Sequence, residues 1–161
     1  MENLKKKPTL WMMVGLPGSG KSTYVQSIAA AGQWVSRDKI RFANTDLEQG
    51  YFSNENKVFE LFVQEIVGKL NNGEDVYADA THISWGSRKK LLQAIGSKIL
   101  DRINVNVIVM ETPFNICIER NAKRAGTACV PQPILESMRL GSTDPATDPF
   151  KYNQIIRINQ P

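Results

Sequence analysis

The stretch Gly15-Leu16-Pro17-Gly18-Ser19-Gly20-Lys21-Ser22 fits the phosphate-loop pattern G-x-x-x-x-G-K-[ST] at every fixed position. An apolar run, Thr9–Val14, leads into it, and a helix-prone stretch, residues 22–31, leaves it. Strand, glycine-rich loop and helix in that order form the setting that lets the pattern bind phosphate. Crowded phosphate charge is offset only by close donors. The glycines let backbone N–H groups turn inward, and the helix opening near Lys21 adds the positive end of its dipole. Lys21 is expected to reach the β- and γ-phosphates of ATP or GTP, and the Ser22 hydroxyl to ligate Mg²⁺. Thr23 completes the nucleotide-binding segment. Pro17 lacks an N–H, which costs nothing where that donor is unused.

Working outward, the chain alternates short apolar runs with helical periodicity. Trp34–Ser36 reads as a second strand, followed by a small helix over residues 38–43. Ser53 is placed to cap a longer helix with Phe59, Phe62, Ile66 and Leu70 on one face, ended by Asn72-Gly73. Val76–Asp79 is a third strand. Ser84 then caps a helix with Leu92, Ile95 and Ile99 inward and Lys89 and Lys90 outward. Residues 103–110 form the clearest strand, Val105, Val107 and Val109 alternating with Asn104 and Asn106. Pro113 opens a helix running to about Ala125, Gly126-Thr127 breaks it, and residues 134–140 form another short helix. Residues 141–149 read as coil and 152–158 as a last strand. The expected fold is α/β: a five-stranded, mainly parallel sheet with helices on both faces. Parallel strands place their carboxyl ends at one rim, where ligands bind.

At 161 residues the chain reads as a single domain, residues 1–8 forming an N-terminal tail, long enough to bury about two thirds of its unfolded surface. The two cysteines, Cys117 and Cys129, make no disulfide framework and are expected to be reduced thiols in a cytoplasm. One histidine and two separated cysteines argue against a zinc site. The lysines of the first seven residues precede a stretch too short for a signal peptide or membrane span. Net charge is +4 and the pI about 9.1, which suits anionic substrates. The clusters Arg37/Lys39/Arg41, Arg88/Lys89/Lys90 and Arg120/Lys123/Arg124 each follow a strand, and taken singly each reads as a solvated helix face.

A guanine-reading Asn-Lys-x-Asp motif is absent, and the chain is short for a motor. Ser36-Arg37-Asp38-Lys39-Ile40-Arg41, Asp79-Ala80-Thr81, and the run from Glu119 through Arg120-Asn121-Ala122-Lys123-Arg124 to Val130-Pro131 together resemble the phage-type 5′-polynucleotide kinase domain. The resemblance spans about residues 9 to 140. It implies a three-layer P-loop kinase fold with an arginine-bearing lid over about residues 120–132, with ATP and Mg²⁺ as cofactors.

By that resemblance Asp38 is the general base on the acceptor hydroxyl, Arg41 grips the phosphate next to the acceptor sugar, and Arg124 closes over ATP. Arg120, four residues earlier, is expected on the same helix face and beside the nucleotide. Physical chemistry gives Asp38 independent support: a carboxylate at the rim, one strand from the phosphate loop, can take a proton and aim the oxygen. Capping the small helix is the alternative role for Asp38, and both can hold. Three roles fit Asp79, where a Walker B carboxylate would sit: holding Mg²⁺ through water, orienting Arg41, or orienting a lid arginine. Thr81 is read as a local hydrogen-bonding residue, and His82 carries no chemistry. Phe42, Tyr51, Phe52 and Trp85 are the aromatics near the rim, Trp85 foremost as a stacking surface for bases.

The expected acceptor is a 5′-hydroxyl DNA or RNA end or a nucleoside 3′-phosphate. Two alternatives stand beside it: a small anionic hydroxyl substrate such as a sugar acid, antibiotic or nucleotide sugar, and a nucleotide-binding regulator without transfer. No membrane or obligate protein partner is implied.

Overall fold

In a computed structural model, described here for residues 5–44, 50 and 53–159, five strands form one wholly parallel sheet. The strands are β1 (Thr9–Val14), β2 (Trp34–Ser36), β3 (Val76–Asp79), β4 (Asn104–Met110) and β5 (Gln154–Ile158), ordered β2-β3-β1-β4-β5. Met12 of β1 lies between Ala78 of β3 and Val107 of β4, and Ser36 of β2 pairs with Asp79 of β3. Because all strands run the same way, their carboxyl ends share one rim. The helices are α1 (Lys21–Ile28), α2 (Arg37–Asn44), α3 (Glu55–Asn71), α4 (Trp85–Ile95), α5 (Ser97–Leu100), α6 (Phe114–Ala122) and α7 (Gln132–Leu140).

The two sheet faces are packed unequally. Leu10, Met12 and Val14 point into the larger core with Phe62, Ile66 and Leu70 of α3 and Leu91, Leu92 and Ile95 of α4. On the other face Met13, Ile108 and Met110 pack with Val25 of α1. Each large side chain buried this way contributes about 1.5–3 kcal/mol. Cover on both faces explains why β4 departs from simple alternation: Asn106 and Ile108 are buried along with Val105 and Val107.

Several local expectations are corrected. Ser53 does not cap α3; its hydroxyl donates to the Gly50 carbonyl, and Asn54 takes the cap position without a side-chain bond to the helix, its amide donating instead to the Asn44 carbonyl. Phe59 lies off the buried stripe, which Val58 fills, and its ring carries the cations of Arg37 and Lys90. Ser84 caps α4 as expected, in a reciprocal box with Ser87. That helix stops at Ile95, and Ile99 belongs to the separate short α5. Helix α6 ends at Ala122, three residues early, so Arg124 lies past the helix rather than stacked above Arg120.

The largest correction is Arg88. Far from a solvated face, its side chain is fully buried and paired with Asp148, Nε to Oδ2 at 2.7 Å and Nη2 to Oδ1 at 2.8 Å. It also donates to the carbonyls of His82 and Thr143. Tyr152 donates to the same Asp148 Oδ2 at 2.6 Å. This network ties the segment after β3 to the segment before β5.

Among the described residues no helix is long and apolar enough to cross a membrane.

Candidate active site

At the carboxyl rim the loop between β1 and α1, the start of α2, the end of β3 and residues 120–138 enclose a cleft of about 410 Å³. That volume lies in the range of small-ligand pockets. The loop is braced from three sides. Gly15 N–H donates to the Thr81 carbonyl at 2.9 Å, Thr112 donates to the Ser19 carbonyl at 2.7 Å, and α6 packs beneath. Gly18 has φ +80°, and a Cβ there would come within 2.5 Å of the Cys117 carbonyl oxygen. Only glycine fits that close approach.

Lys21 folds its ammonium onto the loop itself, donating to the carbonyls of Gly15 at 2.8 Å and Leu16 at 2.9 Å. Burial there pushes its pKa down, while Asp79 and then Asp38 push it back up. Pro17, Gly18, Gly20, Ser22 and Thr23 line the cleft. Ser19 is buried behind it, and Leu16 contributes its carbonyl.

Ser22 donates to Asp79 Oδ2 at 2.7 Å, and the Trp34 indole N–H donates to the same oxygen at 3.0 Å. A hydroxyl beside a carboxylate is a hard-oxygen pair suited to Mg²⁺. No group of three or more His, Cys, Asp or Glu able to hold a metal occurs among the described residues. Of the three roles weighed for Asp79, contact with the Ser22 hydroxyl is the one its geometry speaks to, since both groups face the same point of the cleft.

Helix α2 begins directly at the end of β2 and so presents Asp38 and Arg41 to the rim. Arg41 is only 6% exposed and donates to Asp38 Oδ1 and to both oxygens of Glu55, at the start of α3. Arg37 donates to Glu55 as well, at 3.0 Å. From across the cleft Arg124 Nη2 meets Asp38 Oδ2 at 3.1 Å. Arg120 also lines the cleft. The residues expected from the sequence at Lys21, Ser22, Asp38, Arg41, Asp79, Arg120 and Arg124 thus share one cavity, although the helical stacking invoked for the two lid arginines does not exist.

Trp34 and Glu55 escaped sequence reading. A tryptophan opening a short strand reads as core, and a glutamate in a first helical turn reads as a dipole partner. Conversely, no aromatic side chain lines the cleft among the described residues. Trp85 packs against the larger core rather than offering a stacking surface, and Phe42 is 44% exposed. Tyr51 and Phe52 lie outside the described residues. His82 is buried with φ +43°, its Nδ1 2.9 Å from the Met13 carbonyl; burial pushes its pKa down to about 4.

The family profile of the AAA domain matches residues 10–143. Among curated proteins the chain is 24% identical over 122 residues to the transcription factor bHLH140 of Arabidopsis thaliana. That match takes in 76% of this chain but only 12% of the relative's length. The fold superposes on a chain of the Pnkp1/Rnl/Hen1 RNA repair complex with a TM-score of 0.68 at 24% identity, covering 87% of this chain and 45% of that one. A gluconokinase from Sinorhizobium meliloti 1021 superposes at 0.60 with 17% identity, covering 97% and 86%. With most of its length matched, the chain belongs to the AAA domain family, and its architecture is that of a P-loop kinase.

Proposed function

We propose that this chain transfers the γ-phosphoryl of ATP to the 5′-hydroxyl of a nucleic acid end or of a nucleoside 3′-phosphate. The observation that carries the reading is the Asp38–Arg124 contact of 3.1 Å. It joins two residues 86 positions apart over the cleft that the phosphate loop opens into. A candidate base on one wall and a candidate charge stabiliser on the other are what transfer to an alcohol requires.

In this reading Lys21 leaves the loop carbonyls for the β- and γ-phosphates, and the loop N–H groups hold the rest of the chain of phosphates. Ser22 and Asp79 would hold Mg²⁺, which would supply positive charge to the phosphate oxygens. Asp38 Oδ2 accepts the proton of the acceptor hydroxyl, whose oxygen bonds to the γ-phosphorus as the bond from that phosphorus to the β–γ bridging oxygen breaks and ADP leaves. Arg124 leaves Asp38 to stabilise charge on the transferring group, and with Arg120 it excludes competing water. Arg41 lies beside the acceptor.

The polynucleotide assignment is supported by the R-D-x-x-R and R-N-x-K-R elements and by likeness to a chain from an RNA repair complex. One observation favours the small-molecule reading instead: Arg41 already spends three nitrogens on Asp38 and Glu55. Incubation with labelled ATP, Mg²⁺ and, separately, 5′-hydroxyl DNA, 5′-hydroxyl RNA, nucleoside 3′-phosphates and gluconate decides between them. Label is expected on the nucleic acid or nucleotide acceptors. Label on gluconate alone would overturn the polynucleotide assignment.

A further inference from the structure

We infer that Glu55 is a positioning residue for the acceptor side of the cleft, fixing the plane of the Arg41 guanidinium and through it the carboxylate of Asp38. The inference rests on the kinase reading above. Glu55 receives Arg41 as a fork, Nε on Oε1 and Nη2 on Oε2, and Oε2 also accepts Arg37 Nη2 at 3.0 Å. A guanidinium is planar and rigid, so pinning Nε and Nη2 determines where Nη1 points. Here Nη1 points at Asp38 Oδ1, leaving Oδ2 turned to Arg124. Arg41 is almost wholly buried, which leaves the fork little room to drift. Burial alone would raise the Glu55 pKa, but Arg41 and Arg37 outweigh it and hold the carboxyl below its usual range. Glu55 is therefore ionised at neutral pH.

Without this carboxylate, Asp38 becomes the one acid in the group of four that Arg41 can grip bidentately. Such a grip would occupy Oδ2, the oxygen assigned to the hydroxyl proton. Arg37, Asp38, Arg41 and Glu55 carry two positive and two negative charges, so removing the Glu55 charge makes the patch more positive. Binding of an anionic acceptor is then not weakened by charge, and the loss falls on turnover.

The test is Glu55→Gln in the full chain, assayed with whichever acceptor the wild type labels. Misplacing a reacting group by about 1 Å costs up to a hundredfold. The expected result is a tenfold to hundredfold fall in kcat, with KM for ATP within twofold of wild type and KM for the acceptor unchanged or lower. The double variant Glu55→Gln with Arg41→Gln should be no slower than Arg41→Gln alone, because Glu55 acts through Arg41. A merely structural tie between α2 and α3 would instead lower Tm, raise KM for ATP and multiply with Arg41→Gln; any of these overturns the inference. So does Glu55→Gln with wild-type kcat. A wild type that labels no acceptor overturns the kinase reading itself, and Glu55 falls with it.

Discussion

Replacing Arg124 with Ala separates what this side chain does at rest from what it does during transfer. At rest its partner is Asp38, and the two side chains are 27% and 40% exposed. An ion pair that open is worth about 0–1 kcal/mol. In a domain of 161 residues that moves Tm by about 2–4 °C at most. During transfer the same guanidinium would face charge on the moving phosphoryl group, where an arginine supplies about a thousandfold or more. That is about 4 kcal/mol of barrier, several times its resting contribution. Initial rates at saturating ATP, Mg²⁺ and acceptor, paired with a melting scan in the same buffer, measure both quantities. The expected outcome is a kcat down about a thousandfold with Tm nearly kept. Arg124→Lys should recover only part of the rate, since it restores the charge without the planar fork. A kcat within tenfold of wild type, or a rate loss matched by a collapse in Tm, would refute the assignment.

Three further perturbations probe the frame around the site. Asp38→Asn should abolish transfer while leaving ATP affinity, measured by titration calorimetry, nearly intact; full turnover would remove Asp38 as the base. Arg88→Met leaves Asp148, 1% exposed, buried without its cation, and should cost about 3–5 kcal/mol in denaturant unfolding. Adding Asp148→Leu should return part of that loss. For His82, the folded pKa of about 4 lies below the unfolded 6.5, so the unfolded chain binds the proton first. Stability should therefore fall by about 3 kcal/mol as pH drops from 6.5 to 4. His82→Asn, which tolerates the φ of +43°, should flatten the slope of Tm against pH in that window.

The features legible in the sequence are those governed by neighbours along the chain. The phosphate loop, the five strands and the Ser84 cap each rest on residues within a few positions of one another. Features that depend on distant partners were not legible. Arg88 finds Asp148 sixty residues away, and Arg41 finds Glu55 fourteen away. A hint did exist for the first. Arg88, Leu91, Leu92 and Ile95 keep one helical spacing, so periodicity alone sets a charge on the apolar stripe. For Trp34 and Glu55 no comparable local signal exists, because carboxylate and indole are positioned by strand order and by the α2–α3 packing. Arg120 and Arg124 show the reverse. Their spacing suggested a shared helix face, yet the chain leaves the helix between them and both still reach the cleft.

The side chain of Asn121 donates to the Val130 carbonyl at 2.7 Å and accepts the Val130 N–H at 2.9 Å, both bonds buried. An amide that mimics a backbone pair in this way cinches the intervening loop at its neck. On the proposed kinase reading, a swing of Arg124 toward a bound triphosphate would carry that whole noose as a hinged flap, instead of unravelling it residue by residue. Untying the knot with Asn121→Ala would leave the arginine present but on a slack leash.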